Sequence, residues 1–528
     1  MTTTMGEPVG MRNVRLSRLP RMAPLALAAM LLASECQADW RVVPSVTLTG
    51  RYTDNFWLES DASKQSQFVT ELAPSLAFHG QGPRLVLDGR ARWRHFNYRD
   101  DGLRRTLDHS FDYAVSGRGT VIKDMFFVDA SLSRSPQNIS AFGPLVEDAP
   151  YLAENRTNIQ TWRVSPYLQH RFGQTASLMV RYARDRVSGG ARAGFANSNG
   201  DSITANLASG SAFGKVGWGL SYVRQDLEDR FGGERRSEMT TGNLRYALTN
   251  RFALTASVGY DSYDFDGLGA DSGGRNWSAG FDWRPSQRTQ LNASIGRHFY
   301  GQTGALSLLH RSRRTVWNVS YDDGITTSRQ QFLLPAAIDT AAMLDRLFSG
   351  TIKDPLLRQQ VVEAYIRDNG LPASLTDNIN FLSNRYFRQK TLLGSVAYRM
   401  PRSNAVLSVY KNERIALSSQ QTDSDLLGSQ FSRLNDNVRQ HGVNASLDYR
   451  LNSRTSAVAS AGWSKSRSIS TELDNNRRNF RVGLARQLGR DVRATLDLRR
   501  KTGTRGFFSA NTAPYEENSI SASLSAQF

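Results

Sequence analysis

The chain ends Ser519-Ile520-Ser521-Ala522-Ser523-Leu524-Ser525-Ala526-Gln527-Phe528. Ile520, Ala522, Leu524 and Ala526 alternate with serines, so a strand here has one greasy face and one wet face. The same period of 2 recurs upstream. Phe252, Leu254, Ala256, Val258 and Tyr260 alternate with Ala253, Thr255, Ser257 and Gly259. Leu85, Leu87, Ala91 and Trp93 alternate with Arg84, Asp88, Arg90, Arg92 and Arg94. Further sets are Phe480/Val482/Leu484 and Val492/Ala494/Leu496/Leu498.

The connectors between these segments alternate in length. Short ones lie at 80–83, 117–119, 172–174, 250–251, 285–287, 401–404, 452–454 and 489–491. Long polar ones fall between, at 55–66, 100–105, 135–156, 188–200, 264–274, 418–436, 468–476 and 503–515. Tight turns at one end and long loops at the other describe an up-and-down transmembrane antiparallel β-barrel, an all-β fold. Soluble sandwiches and propellers also alternate. Here, however, the strands run 10–14 residues, long for soluble sheets and right for a tilted bilayer crossing. Aromatic residues recur near strand ends (Tyr52, Trp93, Tyr182, Trp218, Tyr260, Trp283, Tyr398, Tyr449), as in interfacial girdles. A terminal amphipathic strand closing on Phe528 resembles the signal read by the barrel assembly machinery. The alternations count to about 20–22 strands, and termini on one side of the membrane require an even number. Residues 325–332 are the ambiguous piece: as a strand they bring the count to 22.

Composition agrees. Hydrophobic residues are 39% of the 528 and mean hydropathy is −0.46, which excludes a polytopic helical membrane protein. Yet 25 Phe, 18 Tyr and 9 Trp are too many for a disordered chain. Residues 1–38 read as a secretory signal peptide: a basic stretch (Arg12, Arg15, Arg18, Arg21), a 12-residue apolar core at 23–34, and Cys36-Gln37-Ala38 before Asp39. Its removal takes the single Cys, which excludes disulfides and thiol chemistry. It also takes four Arg and two Glu, so the formal charge of +18 falls to +16. Such a balance points to polyanionic partners.

One segment breaks the period. Residues 336–369 carry apolar positions at helical spacing (Ile338, Met343, Leu344, Leu347, Phe348, then Val361, Val362, Tyr365, Ile366), with Asp354-Pro355 opening a second helix and Asn369-Gly370 closing it. The expected organisation is barrel at 39–334, a helical insertion at 335–384 on the rim or plugging the lumen, and barrel again at 385–528.

Three stretches resemble an outer-membrane barrel family associated with PEP-CTERM/exosortase protein-sorting systems: Arg41-Val42-Val43-Pro44-Ser45-Val46-Thr47-Leu48-Thr49 with Tyr52-Thr53-Asp54-Asn55; Arg313-Arg314-Thr315-Val316-Trp317-Asn318-Val319-Ser320-Tyr321; and Gly370-Leu371-Pro372 with Phe381-Leu382-Ser383-Asn384-Arg385-Tyr386-Phe387. The resemblance implies a Gram-negative outer-membrane protein accompanying exopolysaccharide synthesis and export, and it brings no catalytic residues.

On the strands' polar faces lie Arg84, Arg90, Arg92, Arg94, Arg163, Arg181, Arg481, Arg493 and Arg499. Guanidinium groups stay charged and bind carboxylate or phosphate bidentately, so a lumen lined by them favours anions. The alternative is a structural ladder with Asp88, Asp112 and Asp497. The expected function is a porin-like channel passing an acidic polymer. The alternatives are a closed structural barrel presenting its insert to a partner, and an outer-membrane hydrolase. Expected partners are outer-membrane lipid, lipopolysaccharide, the assembly machinery, an acidic polysaccharide and periplasmic export components. Nucleic acid is not expected, since no groove-reading motif appears. No enzyme and no cofactor are expected: the seven His form no HExxH, and His109-Ser110 sit on opposite strand faces. Asp261, Asp264, Asp266 and Asp271 lack the Ca²⁺-loop spacing, so no metal is expected.

Overall fold

A computed structural model describes residues 39–99, 106–146, 148–189, 197–229, 233–264, 272–333, 344, 362, 386–417, 434–435, 437–505 and 513–528. The leader at 1–38 and most of the expected insertion lie outside the described residues.

Twenty-two antiparallel strands form one sheet, each paired to the next in sequence. The last, β22 (Ala513–Gln527), also pairs with the first, β1 (Asp39–Thr53), and the ring is closed. Closure removes every sheet edge, and a bilayer demands this because unpaired backbone groups find no water there. Across the seam Leu48 lies opposite Leu524 and Tyr52 opposite Ile520, and the Phe528 amide donates to the Pro44 carbonyl at 2.9 Å. The amphipathic C-terminal segment is therefore the strand that closes the ring.

Between these run β2 (Gln67–Gln81), β3 (Leu85–Asn97), β4 (His109–Ile122), β5 (Phe126–Asn138), β6 (Arg156–Phe172), β7 (Ala176–Gly189), β8 (Ser198–Ser209), β9 (Val216–Asp229) and β10 (Gly233–Thr249). Then come β11 (Phe252–Tyr263), β12 (Gly273–Ser286), β13 (Thr289–His298), β14 (Gly301–Arg311), β15 (Thr315–Thr326), β16 (Phe387–Arg399) and β17 (Ser403–Ala416). The ring is completed by β18 (Val438–Arg450), β19 (Thr455–Ser468), β20 (Asp474–Gln487) and β21 (Val492–Arg505).

The outer face is apolar. Leu48, Leu72, Val258, Ile295, Val482, Leu498 and Leu524 are all exposed on it. Two aromatic belts flank this band, Trp40, Trp283, Trp317 and Tyr449 at the end bearing the termini, and Tyr52, Trp93, Tyr260 and Trp277 at the other. From Trp40 to Tyr52 the strand runs about 40 Å at roughly 3.3 Å per residue, which a tilt near 45° brings to about 28 Å, the thickness of a hydrocarbon core. Among the described residues no helix is long and apolar enough to cross a membrane; the strands make the crossing. The protein is an integral outer-membrane β-barrel.

Both termini and the short turns share one end, which in such barrels faces the periplasm. The turn 173–175 is typical: Gly173 sits at φ +57, in the left-handed region that favours glycine. The expected turn at 117–119 is not one. Gly117 and Gly119 lie inside β4, and the chain reverses at 123–125, with Asp124 at φ 60. Leu87 Cδ1 stands 3.0 Å from where a Gly117 Cβ would be, so this glycine serves close packing of neighbouring strands.

Twenty-two strands are reached without residues 325–332 as a separate strand. Asp322-Asp323-Gly324 continues β15, and the chain leaves the wall after Thr326 into a six-residue helix, α1 (Ser328–Leu333). The connection from β15 to β16 therefore begins before residue 335, at the long-loop end of the barrel, which in such barrels faces outward from the cell.

Candidate functional site: a lumen closed from one end

Strand pairing fixes which side chains face inward. The inward set on β22 is Tyr515, Glu517, Ser519, Ser521, Ser523 and Ser525, opposite Gly503, Lys501, Arg499, Asp497, Thr495 and Arg493 of β21. Toward the periplasm this face is small and hydroxylated, and hydroxyls meet across strands: Ser45–Ser75 at 2.7 Å, Thr47–Ser525 at 3.1 Å, Thr495–Ser523 at 2.6 Å and Ser257–Ser278 at 2.7 Å. On β22 and β1 burial along the inward face rises toward the outside, whereas on β15 to β17 the inward Val316, Ala397 and Val406 are buried near the periplasmic end as well. Ser519 to Ser525 are half-buried, whereas Glu517 is 1% exposed; Thr47 is half-buried, whereas Thr53 is 0% exposed. On the β22–β1 side the periplasmic half of the wall is therefore open to water, and something fills the outer half.

That filling is the connection 139–155 between β5 and β6, which folds into the barrel. Asn155 shapes it: its Nδ2 donates to the Ser140 and Pro144 carbonyls, and its Oδ1 accepts from the Ser140 amide. Phe142 is 0% exposed and packs with Leu434 and Val438. Val438 belongs to β18, nine strands round the ring from β5 by way of β1 and β22, so the loop reaches almost to the opposite wall. There it is tied down by polar contacts. Arg477 donates to the carbonyls of Ala141 and Gly143, Asn475 Nδ2 donates to Ala141 O, and Ser140 Oγ meets Asn435 Oδ1 at 2.9 Å. Lys501 Nζ donates to Asp148 O at 2.7 Å and forms ion pairs with Asp148 and Glu517.

On the near side the loop is anchored by an aromatic cluster. Tyr151 stacks on Phe56 of the 54–66 connection, with centroids 4.4 Å apart and planes 4° apart. Trp57, Phe96 and Tyr515 complete it. Such clusters hold two loops together without covalent bonds.

A second element enters from β15. In α1, Arg329 pairs with Asp185 of β7 and donates to Ser198 Oγ of β8 at 2.7 Å, and Gln330 reaches Gln225 of β9 at 3.1 Å. Gln331 accepts from Arg414 of β17 at 3.0 Å. The helix thus bridges walls eight strands apart. Leu344 and Val362, farther along the connection, are buried at 0% and 1% exposure. The helix that opens the β15–β16 connection therefore lies within the lumen.

The arginines singled out in the sequence divide. Arg84 lies in the exposed 82–84 turn, outside the strand. Arg90, Arg92, Arg94, Arg163, Arg181, Arg481, Arg493 and Arg499 all occupy inward register positions. Several are engaged: Arg92 with Glu71, Arg94 with Asp112, Arg481 with Asp497, and Arg181 with Asp129 while lying 4.1 Å over the Tyr167 ring. Arg499 sits beside Arg481 and within electrostatic reach of Arg51. Arg51 was missed in the sequence because its neighbours on the polar face of β1, Thr47, Thr49 and Thr53, are uncharged.

Asp88 is taken by His79 and Asp261 by His298, each at 2.6 Å. Asp266 and Asp271 lie outside the described residues. Ser110 turns inward to Arg156 while His109 is exposed. Among the described residues no group of three His, Cys, Asp or Glu could hold a metal ion.

No family model and no curated protein sequence matches the chain. Solved structures do. The siderophore receptor PirA from Pseudomonas aeruginosa is 10% identical, with a TM-score of 0.44 over 92% of this chain and 80% of that one. The FrpB iron transporter from Neisseria meningitidis is 10% identical, with a TM-score of 0.46 over 92% and 82%. A ferric enterobactin receptor (PfeA) from Pseudomonas aeruginosa is also 10% identical, with a TM-score of 0.46 over 92% and 80%.

Proposed function

We propose that the protein is a loop-closed outer-membrane channel that assists export of an anionic exopolysaccharide, within a PEP-CTERM/exosortase-type sorting and surface-display system. One observation carries the reading: on the β22–β1 side the lumen has a water-exposed hydroxylated wall toward the periplasm, and its outer half is blocked by the barrel's own connections. The block is held mainly by side-chain-to-carbonyl hydrogen bonds and ion pairs, such as Arg477 to Ala141 and Lys501 to Asp148. Contacts of that kind exchange with water more readily than a fused apolar core. Hydroxyl-lined walls suit a sugar polymer, which is itself mostly hydroxyl, and inward guanidinium groups suit its carboxylates.

Lipopolysaccharide and lipid surround the outer face, the barrel assembly machinery reads the Phe528 strand, and periplasmic export components supply the polymer. The test is passage. Vesicles loaded with fluorescent polygalacturonate should release it through the protein lacking residues 140–154 and retain equally long neutral dextran. Retention of both polymers would reject the reading.

A further inference from the structure

The short-turn end carries a feature that the channel reading did not require. At the periplasmic end of β11 to β18, eight neighbouring strands, each strand has an arginine of inward register at or next to its end. The Arg284 amide donates to the Arg251 carbonyl at 2.7 Å, Arg311 to Arg288 at 2.8 Å and Arg399 to Arg314 at 2.8 Å. Arg450 donates to Arg402 at 2.7 Å in the same way. These bonds set four arginine pairs directly opposite one another. Arg251 and Arg288 share the inward alternation of Ala253 and Gln290, and Arg399 and Arg450 that of Ala397 and Asp448. The side chains therefore start from the lumen side of the rim, with the backbones of each pair about 4.8 Å apart.

Like charges directly opposite across a ladder are destabilising, and here they recur four times in succession. The nearest inward acids are Asp282 and Asp448. Asp282 already lies 3.5 Å from Arg245. Apart from Arg399, none of the eight forms an ion pair with a described residue. Lipid phosphates do not explain the row. At the same height the lipid side presents Trp283, Trp317 and Tyr449, and the alternation turns the arginines away from it.

We propose that this crescent is a capture site for a linear polyanion, an acidic polysaccharide, arriving from the periplasm. An extended chain of regularly spaced carboxylates fits a row of regularly spaced guanidinium groups, and such a field raises the local concentration of the polymer at the lumen mouth. The identity and direction of the polymer rest on the proposed function; the anion site itself does not.

The test uses the full chain in detergent with labelled polygalacturonate oligomers as the probe. A variant carrying R284Q, R311Q, R314Q and R402Q is compared with one carrying R313Q, R486Q and R490Q, which removes rim cations of outward register. The crescent variant should bind roughly tenfold more weakly, the outward variant should bind as the wild type does, and R284K/R311K/R314K/R402K should restore binding. Heat-modifiable migration on gels confirms that each variant is folded. Equal weakening in both Gln variants, or none in either, overturns the proposal. Tighter binding of polyglutamate than of polygalacturonate overturns it in favour of an acidic protein partner. Binding that behaves as expected, with no polymer passage through the loop-deleted protein, upholds the crescent and rejects export.

Discussion

Lys501 of β21 holds Asp148 of the inward loop, with Nζ 3.4 Å from the carboxylate and 2.7 Å from the Asp148 carbonyl, and the same ammonium lies 3.1 Å from Glu517. Lys501 is 2% exposed and Glu517 1%, so one buried cation serves both the wall and the plug.

Replacing Lys501 with Met leaves Glu517 buried without its cation. Breaking a buried pair from one side costs about 3–5 kcal/mol. The barrel ladder stays paired, so the loss falls on the plug. Chymotrypsin should cut within 139–155, after Phe142 or Tyr151, in the folded Lys501→Met protein and spare the wild type. The double variant Lys501→Met/Glu517→Gln should recover part of the protection.

Burial alone would push the Asp148 carboxyl up. The Lys501 ammonium and the guanidinium groups of Arg499 and Arg477 outweigh this and hold it below the usual carboxylate range. A carboxyl lowered in the folded loop stabilises above its unfolded value, about 3.9, and loses that contribution as pH falls through the folded one. Protease protection of the loop should therefore be flat from pH 8 to about pH 5 and decline only below about pH 4. A plug that opened between pH 7 and 6 would contradict this assignment.

Tyr151 is 1% exposed and stacks on Phe56. Truncating a buried aromatic to Ala costs about 3–5 kcal/mol. Tyr151→Ala should loosen the loop from the 54–66 side, seen as faster hydrogen exchange at 139–155 and 54–66, with exchange in the strands unchanged.

Ile295 is 71% exposed on the outer face of β13, and Ser307 of β14 faces inward. An arginine on the lipid side costs up to about 2–4 kcal/mol at the bilayer midplane and less toward the aromatic belts. Ile295→Arg should lower folding yield into bilayers, and Ser307→Arg should not. Equal losses would mean the faces are wrongly assigned.

Much of the fold was legible because the bilayer imposes a period of 2 on every strand: the outward set Leu48, Val258, Leu498 and Leu524 could be read directly. The segment 325–332 misled because Ile325 and Thr326 finish a strand while Ser328 already starts a helix, so no single period covers it. The plug was not legible. Residues 139–155 are short of any pattern, and their partners Asn435, Arg477 and Lys501 lie some three hundred residues along the chain, joined to them only by closure of the ring. The lumenal arginines were legible by alternation, but their pairing to Glu71, Asp112, Asp129 and Asp497 depends on register. The rim arginines carried a readable signal, a cation beside nearly every short turn, which counting total charge conceals.

The central claim is a wet lumen closed by the barrel's own connections, and planar-bilayer conductance tests it most directly. The wild type should show small or infrequent current steps, and the protein lacking residues 140–154 should show larger, stable ones, larger still when 328–385 is also removed. Folded proteins that all fail to conduct would contradict the account, as would a wild type already conducting as freely as the double deletion.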